Sequence, residues 1–165
     1  MSIVGSLLLF KAILIAGLAV WMTIIVINNA TAFAGGVATI GLMMSMQLFD
    51  QPPVIKTPLL ARRVIDPGWH KAAYALVLVA EIVVAALLIF AAIGFAGALF
   101  GAVDPAAAIQ RSNLALSALL AMSFLFVLGG AWFAYYVKQD GMQTMHFVLI
   151  AVATTSAIAI NLPAA

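Results

Sequence analysis

Four apolar runs, at residues 4–27, 72–100, 114–137 and 145–162, constrain this chain more than any other feature. About 20 apolar residues in a helix cross a hydrocarbon layer roughly 30 Å thick. Inside lipid every backbone N–H and C=O needs a partner within its own segment, so separate spanning runs fold as helices. The fold class that follows is an all-α membrane protein, a four-transmembrane-helix antiparallel bundle, with residues 1–165 forming a single integral membrane domain. Composition points the same way. The chain is 67% hydrophobic and 7% charged, against roughly 45–50% and roughly 25% in soluble domains. It has no cysteine, which excludes a disulfide framework, a thiolate metal site and a thiol nucleophile. It has no basic run, so the lipid bilayer is its expected partner and nucleic acid is not. Lys11 followed by apolar residues resembles a signal peptide, but apolar residues precede Lys11 too and the run continues to Ile27. A retained first span is expected.

The connections are unequal. Links 101–113 and 138–144 are short, which forces antiparallel neighbours. Both chain ends then share one side with the second link. The first link, 28–71, is far longer than an ordinary helix connection and is expected to hold structure of its own. Its segment 37–49 is apolar, rich in methionine and too short to span, so an interfacial or re-entrant helix is predicted there. Pro52, Pro53 and Pro58 interrupt helix, and Asp66-Pro67-Gly68 forms a turn that opens the second span. The first and third links carry Lys56, Arg62, Arg63, Lys71 and Lys138, against Lys11 and Arg111 on the other side. That distribution favours the cytoplasm for the first and third links. The Trp and Tyr residues gather toward the same side.

Glu81 stands about ten positions into the second run and is its sole Asp, Glu, Lys, Arg or His. An ionisable group at that depth costs at least a few kcal/mol and usually faces a bundle interior or a pathway. His70, Tyr74 and Glu81 fall on one helical face, a polar stripe from the interface inward. Three readings apply: a protonated Glu81 bridging helices, with Trp132, Thr154, Thr155 and Ser123 as candidate neighbours; a ligand or quinone contact; a proton or ion relay. Relays usually show more polar or broken-helix features than one carboxylate. No metal site is predicted. His70 and His146, near one interface, are the weak candidates for haem or, with Met142, Met145 or Met43-Met44-x-Met46, for copper. Asn28, Asn29 and Thr31 are expected to close the first helix. Gly129-Gly130, Gly94 and Ala98 suit close helix contact. The chain has no nucleophile triad, phosphate loop or zinc signature, and no catalytic residue is assigned.

Several motifs occur together in one order: Asn28-Asn29-Ala30-Thr31, Met44-Ser45-Met46, Arg63-Val64-Ile65-Asp66-Pro67, His70-Lys71-Ala72-Ala73-Tyr74, Glu81, Trp132-Phe133-Ala134 and Gly141-Met142-Gln143. Over about residues 15–160 the chain resembles the bacterial predicted small integral membrane proteins called domain of unknown function 2165. The resemblance implies four helices in the inner membrane and a structured first loop, and it implies no activity. The family pattern often has acidic residues where this chain has Ala32, Gln47 and Ala131, and a His near Leu42. The chain keeps Glu81, His70 and Tyr74 while shedding that loop polarity, which suits recruitment to bind a neighbour.

The expected function is a non-catalytic accessory subunit of a larger bacterial inner-membrane complex of respiratory, oxidase or photosynthetic type. Its partners would be other membrane-protein subunits, and no cofactor is expected beyond a bound lipid or quinone. The alternatives are a small transporter or channel using the Glu81 stripe, and a haem- or quinone-binding redox subunit.

Overall fold

The computed structural model describes residues 3–163. Five helices follow in chain order: α1 (Ile3–Thr31), α2 (Phe33–Met44), α3 (Pro67–Leu99), α4 (Pro105–Phe133) and α5 (Asp140–Asn161). Helices α1, α3, α4 and α5 are long and apolar enough to cross a membrane, whereas α2 has only 12 residues. The described residues contain no strand. The all-helical, four-span architecture anticipated from the apolar runs is the one the chain forms.

Capping explains where the spans begin. Asp66 Oδ1 accepts from the Gly68 N–H at 2.6 Å, and Asp104 Oδ1 accepts from the Ala106 N–H at 3.1 Å. Each Asp satisfies an orphan donor of its first turn, and each is followed by a proline pre-set for the first helical position. α4 therefore starts at Pro105, well before the apolar run at 114. α3 has 33 residues, about 50 Å at 1.5 Å per residue, and so outruns a hydrocarbon layer of roughly 30 Å.

The first link also differs from expectation. α1 runs on through Asn28 and Asn29 to Thr31, and α2 follows after Ala32 leaves helical geometry. The short helix occupies 33–44 rather than 37–49. It stops because Met46 takes a left-handed conformation, φ 52°, after which Gln47–Asp50 forms a single 3₁₀ turn.

The spans pack in chain order, α1 on α3, α3 on α4 and α4 on α5, and α2 lies against α3. The core is apolar: Ile15 and Met22 of α1, Leu88 and Phe95 of α3, Leu119 of α4 and Ile160 of α5 are almost fully buried. At the end holding the chain termini, Lys11 Nζ donates to the Leu162 carbonyl at 2.7 Å, so a basic group meets the negative end of α5. Lys11 is buried; its charge is met by a carbonyl rather than by free extension to the interface. Asn113 and Asn161 exchange amide bonds of 3.0 and 2.8 Å beside it.

At the other end the first link closes over the turn between α4 and α5. Met46, Phe49 and Ala134 form a small apolar cluster there. Lys138 Nζ donates to the carbonyls of Gln51 and Pro53 at 3.2 and 2.8 Å. Arg63 pairs with Asp50 at 2.7 Å.

Two glycines of α2 let it lie close to α3. A Cβ on Gly36 would overlap the Tyr74 ring, and one on Gly41 would stand 2.7 Å from His70 Nδ1. Gly35 has open space beside it. Gly36→Val is therefore expected to push α2 off α3 and destabilise the protein by about 1–3 kcal/mol. Thermal melting in detergent checks this: Gly36→Val should melt lower, and Gly35→Ala should melt no lower than the parent.

Candidate functional site

The buried face of α3 changes character along its length. Tyr74, Glu81, Leu88 and Phe95 recur every seven residues and are all buried, as expected for one helical stripe. Toward the termini the stripe is apolar. Toward the first link it turns polar at Glu81, which is only 5% exposed.

Glu81 meets α1. Asn29 Nδ2 donates to Glu81 Oε1 at 2.8 Å and to Oε2 at 2.9 Å. Tyr74 Oη donates to the backbone carbonyl of the same Asn29 at 3.0 Å. One residue near the end of α1 thus holds two side chains of α3. The Tyr74 ring is fixed further by an edge contact with Phe33, centroids 5.1 Å apart. Among the described residues Glu81 has no basic partner; the ion pair present is Arg63–Asp50. Two carboxyl oxygens offer about four acceptor positions, so the single amide leaves capacity unused.

A second polar group comes from the opposite wall. Ala134, at φ 51°, ends α4 and turns the chain so that Tyr135 is buried. Tyr135 Oη and His146 Nδ1 are 2.9 Å apart. Phe126 stacks obliquely on the His146 ring at 5.1 Å. Burial pushes the Tyr135 hydroxyl up to about 12, above the ordinary tyrosine value near 10.

Between the two groups lies a cavity of about 520 Å3. Asn29, Tyr74 and Glu81 line one part of it, and Tyr135 and His146 line another. The rest is mainly apolar: Met43 and Met44 of α2, Phe126 and Phe133 of α4, and Met142 of α5. Helices of α-bundles commonly enclose ligand sites of this kind, apolar with a few convergent polar groups.

The structure joins Tyr74 and Glu81 and sets His70 apart. His70 Nε2 lies 2.8 Å from the Val64 carbonyl, so the ring ties the first link to α3, and His70 is outside the cavity lining. Trp132 is exposed and carries the Arg62 guanidinium 4.5 Å from its ring centroid. Thr154 and Thr155 are exposed, and Thr155 Oγ1 donates to Ala151 O of its own helix at 2.7 Å. Ser123 likewise donates to Leu119 O at 2.7 Å. The hydrogen-bond partner of Glu81 is therefore Asn29 of α1 rather than Trp132, Ser123, Thr154 or Thr155. His70 and His146 bond to different partners in different surroundings. Among the described residues no three of His, Cys, Asp and Glu gather as a metal site would need. Sequence reasoning placed Asn29 as a helix terminator and singled out neither it nor Tyr135 as a site residue. A signal for Asn29 existed: an amide inside what proves to be a spanning helix.

Four spans packed in chain order, with a partly open cavity beside them, define an integral membrane protein built on a helical bundle. The chain belongs to the family of predicted small integral membrane proteins, domain of unknown function 2165, whose model matches residues 7–163. No curated protein and no solved structure matches it.

Removing the Asn29 amide strands a buried carboxyl, so Asn29→Ala is expected to destabilise the protein by about 1–3 kcal/mol. The double variant Asn29→Ala/Glu81→Leu should recover part of that loss, which a melting cycle in detergent measures. Tyr135 makes a second expectation. Its folded value lies above the unfolded one, so its contribution is intact below about pH 10. That contribution fades as pH rises toward about 12. A melting series across that range should fall more steeply for the parent than for Tyr135→Phe.

Proposed function

We propose that this protein is a non-catalytic membrane protein that holds a small amphiphilic molecule, a lipid or quinone among the candidates, between α2, α3, α4 and α5. One observation carries the reading: an apolar cavity of about 520 Å3 into which α1, α3, the turn after α4 and α5 bring Asn29, Tyr74, Glu81, Tyr135 and His146. Such an interior matches a ligand with an apolar body and a hydrogen-bonding group. We further propose that it works as an accessory subunit of a larger assembly in the bacterial inner membrane. That part rests on small size, on the sparseness of redox ligands in the sequence and on the apolar segment 37–49 of the first link. The haem form of the redox reading draws less support, since the two histidines bond to separate partners.

A second reading, a small transporter working through Glu81, is favoured by the buried carboxyl with only an amide for a partner. It asks for solute or proton flux in liposomes that Glu81→Gln abolishes. Flux no greater than in empty liposomes sinks it.

Purification in mild detergent, followed by solvent extraction of the pure protein, tests the leading reading. The expected result is co-purifying membrane subunits and a stoichiometric small amphiphile. A chain that runs alone and yields nothing beyond detergent contradicts both parts.

A further inference from the structure

We infer that the cavity selects a lipophilic organic cation: a molecule with a protonated amine or quaternary onium centre among aromatic or alkyl groups. This rests on the reading of the cavity as a binding site and names the chemistry of its occupant.

The charge balance of the lining carries the argument. Glu81 is the one residue of the lining with an acidic side chain, and no Lys, Arg or Asp lines the cavity. The elements packed around it bring few other titratable groups. α3 itself adds Tyr74, the turn after α4 adds Tyr135, and α5 adds His146, already bonded to Tyr135. α1 contributes Asn29, whose amide steadies the carboxyl without carrying charge. α2 and α4 contribute only apolar and hydroxyl groups to the lining. A carboxylate in so apolar a setting is costly without a counter-charge. Beside an anion or a neutral ligand the carboxyl avoids that cost by holding a proton. A cation offsets it and favours the charged form, so of the three only a cation gains from Glu81 as a counter-charge.

The remaining wall suits the same occupant. Tyr74, Phe126, Phe133 and Tyr135 supply aromatic rings, whose faces attract onium centres. Met43, Met44 and Met142 supply soft, flexible surface that adapts to ligands of varied outline. α2, which brings two of these methionines, is a short helix seated on α3 through glycines.

Tetraphenylphosphonium and tetraphenylborate have the same shape and opposite charge, so they test the inference on the unaltered protein. Isothermal titration in detergent should show saturable binding of the phosphonium and at least tenfold weaker binding of the borate. Glu81→Gln should weaken the phosphonium at least tenfold, and a neutral short-chain quinone titrated into the unaltered protein reports whether the cavity takes amphiphiles at all. Equal affinity for the two ions, or undiminished phosphonium binding to Glu81→Gln, overturns the inference. Binding of the neutral quinone with no phosphonium binding overturns it and leaves the cavity as an amphiphile site. No binding of any probe removes both readings.

Discussion

The hydrogen bonds between Asn29 and Glu81 hold this architecture in register. A carboxyl in the apolar interior needs a partner, and the partner here sits 52 residues away, at the last turn of α1. Asn29 also receives the Tyr74 hydroxyl on its carbonyl. Three residues later the chain leaves helical geometry at Ala32 and begins α2. One residue therefore sets where α1 meets α3 and where α2 departs to lie over the cavity.

The bundle divides into two halves around that point. Below Glu81, Leu88, Phe95 and their neighbours give a dry core that needs only shape. Above it the helices leave room, and the first link supplies what a longer bundle would supply with more helix. α2 covers one side. The segment that follows is tied back by Lys138 and packed at Phe49 against Ala134. His70 belongs to this scaffolding, since its ring holds the Val64 carbonyl near the start of α3. Tightness is local: Gly130 is buried where a Cβ would overlap the Gln143 side chain, so α4 and α5 meet closely beside the cavity.

Much of this was legible in the sequence, and the illegible parts share a cause. Hydropathy located four spans, and seven-residue spacing put Tyr74 and Glu81 on one face. Asp66-Pro67 announced the start of α3. Asp104-Pro105 is the same signal for α4, but the next turns hold Gln110, Arg111 and Asn113, which lower the hydropathy and hide the helix. Gly35-Gly36 looks like a place to break a helix; Gly36 is instead a seat for the Tyr74 ring. Asn29 falls at the edge of an apolar run, where local rules favour a cap over a partner on another helix. The left-handed residue at Ala134 carries no glycine or asparagine to mark it, so the placement of Tyr135 against His146 came only from packing. Local chemistry gave the elements, and contacts distant in sequence gave the site.

The central claim is that the space beside Glu81 is a place for another molecule. A density map of the protein in a lipid nanodisc made from its native membrane tests this most directly. The account predicts non-protein density between Glu81 and the Tyr135–His146 pair, with Asn29 still on the carboxyl. It is contradicted if α2 closes onto α4 and α5 and the cavity is filled by the protein's own side chains.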